Sequence, residues 1–170
     1  MSEPTPDLVL DSTIWPVLVD LVGCLCSELR KSGLPETCFC GIMPGNQTPF
    51  DVAEEDKGVA WVRTANIFPS SNFPALDNSG RACSAPLAVQ IEVGAMFCYP
   101  AAMLTEPIST SDAWDAARMQ HAAMAAMYRA IQCCAGSKRG SLLTIGQYLP
   151  QGPDGGLVGG TWQVWARDWR

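Results

Sequence analysis

Eight cysteines are the residues with most chemistry to offer in this 170-residue chain, and six of them are closely spaced: Cys24-Leu25-Cys26, Cys38-Phe39-Cys40 and the adjacent Cys133-Cys134. Zinc sites favour ligand pairs separated by about two to four residues, completed by thiolate or imidazole donors. On a helix Cys24 and Cys26 point to different sides and cannot chelate together. Cys38 and Cys40 share one face of a strand, but the sole histidine, His121, belongs to a helix. The expectation is no metal, no cofactor, and reduced cysteines that behave as small buried hydrophobes.

Nucleophilic catalysis needs Cys or Ser beside a histidine that an acid orients. His121 lies among Ala117, Ala122 and Met124, which reads as a buried or interface histidine with a backbone partner rather than a general base. No GxSxG elbow is present. Glu54-Glu55-Asp56 is a run of acids in a loop, the usual pattern of a solvated face. No catalytic residue is assigned, and a hydrolytic site built from these loop acids stays open as an alternative.

The stretch GPDGGLVGG, from Gly152 to Gly160, is the one candidate phosphate loop. A Walker loop ends in GK[ST] and opens a helix, so that backbone N–H groups and the helix terminus meet the phosphate. Here the glycines lead into Thr161-Trp162-Gln163-Val164-Trp165, which is β-prone. The stretch therefore reads as the turn of a closing hairpin, with Gly152 to Gly156 reversing the chain. Trp162, Val164 and Ala166 then face the core, and Gln163, Trp165, Arg167 and Trp169 face outward. Outward tryptophans beside an arginine are either interface anchors or parts of a core that buries both sheet faces.

The elements around these residues follow from periodicity and breakers. Residues 1–10 are an acidic, Pro-rich lead-in, and 11–170 form a single domain. A helix over about 13–31 begins at the caps Asp11 to Thr13 and stops at Gly33 and Pro35. Its main stripe is Ile14, Leu18, Leu21, Leu25 and Leu29. A second stripe of Trp15, Val19, Val22 and Cys26 exceeds what one core face needs, which makes Trp15 and Val19 interface candidates.

Thr37–Met43 is a strand buried on both faces, Val59–Ile67 a second strand, and Leu87–Tyr99 a long third strand whose apolar second half projects or is covered by a partner. Ser109 to Asp112 cap a helix reaching about Cys134, with Trp114, Ala117, His121, Met124, Tyr128 and Ile131 on one stripe and many alanines around it. Leu142–Leu149 and Thr161–Arg167 are the last two strands. The order α-β-β-β-α-β-β predicts an α+β fold, helices packed on a mostly antiparallel mixed sheet.

Composition narrows the partners. The net charge of -6 and only 11 scattered Lys and Arg argue against phosphate-driven nucleic-acid binding. An acidic amino terminus and the lack of a long apolar run read as a soluble, cytosolic chain with no membrane span.

From about Asp11 to Trp169 this arrangement resembles the tail terminator proteins of long-tailed phages. The resemblance rests on the amino-terminal helix, TCFCGIM, VAWVRTANI, the strand LAVQIEVGAMF, the capped helix TSDAWDAARMQHAAMAAMYRAI, and a hairpin in which Gly159-Gly160 precedes TWQVWAR. It implies a non-enzymatic virion protein, assembled in the host cytoplasm at the head-tail junction. The implied form is a homo-hexameric ring that caps the tail tube protein, meets the head-tail connector proteins, and passes DNA through its lumen without specific binding. A neighbouring adaptor or stopper is the alternative within that class. Outside it stands an enzyme or ligand-binding domain using the Cys38/Cys40 face or the loop acids.

Overall fold

A computed structural model describes residues 14–45, 57–75, 86–99, 109–135, 143–154 and 156–167, the side chains of 133–135 and 153–154 excepted. In chain order these form helix α1 (Ile14–Lys31) and strands β1 (Thr37–Ile42), β2 (Gly58–Pro69) and β3 (Leu87–Cys98). Helix α2 (Thr110–Arg129) follows, continued by a π-helical turn (Ala130–Ala135), and then strands β4 (Leu143–Asp154) and β5 (Leu157–Arg167). The class is α+β in the predicted order, with the π-helical turn added. The five strands make one mixed sheet, β1-β2-β3-β5-β4; β1 and β2 run parallel and the other three pairs antiparallel.

β3 is the middle strand, and its alternation sets the two faces. Val89, Ile91, Val93, Ala95 and Phe97 face the helices, where they join Ala60 and Val62 of β2, Val164 and Ala166 of β5, and the buried Leu18, Leu21 and Leu25 of α1. Each fully buried side chain of this size contributes about 1.5–3 kcal/mol. The second half of β3 does not project: β2 pairs with it from Leu87 to Phe97 and β5 from Ala88 to Cys98, so its apolar residues are interior.

α2 is rotated relative to the expected stripe. Ala116, Ala123, Ala126, Met127 and Ala130 are the buried residues, while Trp114, Ala117, His121 and Tyr128 face solvent. Alanines let the helix backbone approach the sheet, close enough for Trp162 Nε1 to donate to the Met124 carbonyl at 3.2 Å; a stripe with Trp114 and Tyr128 would hold it away. His121 is therefore exposed, not buried, and of the expected stripe Ile131 alone is fully buried, within the π-helical turn. Ser109 caps the helix, its Oγ accepting the Asp112 N–H at 3.1 Å.

β1 is an edge strand, half-buried along its length rather than buried on both faces. A register shift between Thr37 and Phe39 also separates the two cysteines expected on one face. Cys40 packs with Ile42 on the helix-side core, and Cys38 with Phe39, Val59 and Trp61 on the other side.

The reduced-thiol expectation is corrected as well. Cys26 of α1 and Cys40 of β1 form a disulfide with Cα atoms 5.9 Å apart, Cys24 is disulfide-bonded too, and Cys38 and Cys98 are thiols. Packing of α1 across β1 brings the cysteines within bonding reach although 14 positions separate them in sequence.

The hairpin strands are longer than breakers alone suggest. β4 continues past Pro150 and β5 starts at Leu157, paired with Asp154. Irregular register between Gln151 and Asp154 absorbs Gly152, whose φ is +87° and where a Cβ would collide with the Leu157 carbonyl.

Candidate interaction surface

The sheet face turned away from the helices carries a desolvated polar cluster. Arg63 and Glu92 stand directly opposite each other on β2 and β3, with Arg63 Nη2 2.7 Å from Glu92 Oε1 and side chains 9% and 19% exposed. The same oxygen accepts the indole N–H of Trp61 at 3.1 Å. Trp61 itself is fully buried and lies over Gly94, where a Cβ would strike its ring. Two donors on one carboxylate oxygen hold the ion pair in place, which is what a buried pair requires to offset its desolvation.

Trp165 and Arg167 lie on this same face, out of phase with Trp162, Val164 and Ala166. Trp165 is half-buried, paired across the strands with Gln90 and Thr144, and it covers Gly146 of β4. Arg167 is half-buried opposite Ala88. Trp169 falls outside the described residues.

Trp15 and Val19 belong to the opposite layer. They stand one turn apart on the outer side of α1, 38% and 44% exposed. The four described candidates thus form two separate patches, one on the helix layer and one on the sheet face turned away from the helices.

Sequence reasoning missed a third feature, the outer stripe of α2. Trp114 is 68% exposed, and Ala117, Arg118, His121 and Tyr128 follow along the helix. Tyr128 meets Trp162 in a tilted contact, with centroids 5.4 Å apart, and Trp162 meets Tyr148 at 5.5 Å, so an aromatic run leads from this stripe across β5 to β4. The alanine spacing 116, 123, 126, 130 was the signal that Trp114 and Tyr128 point outward.

Polar contacts fix this corner. Gln120 Nε2 donates to the carbonyls of Gln151 and Gly159 at 3.2 and 2.9 Å, and the Tyr148 hydroxyl donates to Gly159 as well, at 2.9 Å. Burial pushes the Tyr148 phenol up to about 12, which keeps it a donor across the neutral range.

Chemistry-bearing residues are dispersed. Among the described residues no group of three or more His, Cys, Asp and Glu could hold a metal ion, and no helix is long and apolar enough to cross a membrane. Cys40 is committed to its disulfide, while the acids Glu54, Glu55 and Asp56 lie outside the described residues. No protein-family model matches the chain, and no curated protein matches it with significant similarity.

Proposed function

We propose that this chain is a structural subunit of a ring at the head-tail junction of a long-tailed phage, the tail terminator. Six copies close the ring, cap the tail tube and offer a surface to the head connector. The observation that carries this reading is the aromatic and aliphatic surface on the helix layer: Trp15, Val19, Trp114 and Tyr128 are exposed on helices whose other sides fill the core. Large exposed apolar groups of this kind mark protein interfaces, and tryptophan and tyrosine are their commonest anchors.

Two further properties suit the role. A net charge of -6 favours a lumen along which DNA slides without sticking. A virion is assembled in the reducing cytoplasm and then released into an oxidising medium, where disulfides such as Cys26–Cys40 persist. Partners are further copies of the chain, the tail tube protein and the connector proteins.

Electron microscopy of the purified chain, alone and mixed with tail tubes, tests the reading. Rings seated on one end of the tube are expected. Particles that decorate the portal and leave tube ends bare would assign the chain to the adaptor or stopper, and single subunits in both samples would overturn the ring.

A further inference from the structure

The two disulfide-bonded cysteines of α1 sit in different surroundings. Cys24 is 1% exposed, within the core beneath the helix. Cys26 and Cys40 are half-buried, and both line an open cavity of about 410 Å³ together with Arg30, Leu34, Glu36 and Thr37. Disulfide exchange requires a thiolate to reach a sulfur, so access decides which bond reacts. The cavity lies beside the Cys26–Cys40 bond, while Cys24 is buried in the core.

The bond also has a mechanical position. Among the described residues β1 is at the edge of the sheet, paired with β2 and parallel to it. Its helix-side residues Cys40 and Ile42 pack against the core beneath α1, and Cys26–Cys40 ties that strand covalently to the helix. Cutting the tie would remove the covalent restraint on the edge strand and leave its β2 pairing and the core packing of Cys40 and Ile42 to hold it.

We propose that Cys26–Cys40 is a thiol-exchange site whose ligand class is the low-molecular-weight thiol, and that its opening releases edge strand β1 while the domain stays folded. In the first step a thiolate attacks one cysteine sulfur, the S–S bond breaks, and the other cysteine leaves as a thiolate and takes a proton. In the second step another thiolate attacks the outer sulfur of the mixed disulfide, which frees the remaining cysteine. Two small thiols are oxidised to their disulfide, and one protein disulfide is reduced to two thiols. The clip operates in a single subunit, with or without a ring.

The full chain is treated with dithiothreitol under native conditions, and samples are alkylated over time and mapped by mass spectrometry alongside amide hydrogen exchange. Cys26 and Cys40 are expected to become alkylated together while Cys24 stays unlabelled and the circular dichroism is unchanged. Amides of β1 are then expected to exchange about tenfold faster than in the oxidised chain, since local opening is read by exchange. The double variant C26S/C40S is expected to show the same fast exchange without reductant. Labelling of Cys26 and Cys40 only in step with loss of the circular dichroism would mean that the bond opens by global unfolding and would overturn the site. Unchanged β1 exchange in the reduced wild-type chain would overturn the clip, whether or not the variant folds.

Discussion

Trp165 occupies the space that any side chain at Gly146 would need, so the outward tryptophan of β5 is packed onto its neighbouring strand before any partner arrives. Gly146→Ala is expected to lower stability by about 1–3 kcal/mol through overpacking, read by urea unfolding. Trp165→Ala keeps the fold and weakens subunit association by about 2 kcal/mol or more. An unfolded Trp165→Ala subunit would make the residue part of the core instead.

Trp114 gives the cleanest separation of stability from assembly. It is 68% exposed in the first turns of α2. Trp114→Ala should change the unfolding free energy of the subunit by less than about 0.5 kcal/mol. Its effect on association, measured by sedimentation, should reach about 2 kcal/mol. Equal association for variant and wild type would remove the α2 stripe from the interface.

The Arg63–Glu92 pair predicts non-additivity. Glu92→Gln leaves a largely buried guanidinium without its carboxylate and is expected to cost about 3 kcal/mol. Replacing both residues by leucine is expected to cost less than that, because two desolvated charges are removed together. A double variant as damaged as the sum of its singles would show that the pair does not act as a unit.

Sequence pattern was sufficient where one periodicity had one solution. The alternation of Val89, Ile91, Val93, Ala95 and Phe97 fixed the core face of β3, and the cap at Ser109 fixed the start of α2. It misled where two faces were both apolar: on α2 the large residues looked like the core stripe, yet close packing on the sheet selected Ala116, Ala123 and Ala126. The Cys26–Cys40 bond was hidden for another reason. Helix and strand positions 14 residues apart meet only through tertiary packing, and a register shift within β1 turned Cys40 away from Cys38. At the candidate surface, strand alternation placed Trp165 on the outward face, but the Gly146 floor beneath it comes from a different strand.

Glu28 links stability to acid pH. Its hydrogen bond to Lys31 at 2.9 Å and then that to Arg129 at 3.1 Å hold its carboxyl below the ordinary value of 4.5, joining the ends of α1 and α2. A depressed folded value means the contribution is present above the ordinary carboxylate range and is lost as pH falls through the folded value. The stability gap between wild type and Glu28→Gln is therefore expected at neutral pH and should close on acidification, followed by urea titrations at a series of pH values. A gap that is the same at every pH would assign the effect to packing.

Mass in solution tests the ring most directly. Sedimentation velocity of the purified chain across a concentration series, with Trp114→Ala run alongside, is expected to show a discrete species near six times the 18.2 kDa subunit that the substitution dissolves. A single 18.2 kDa species at every concentration, unchanged by tail tubes, would contradict the assignment.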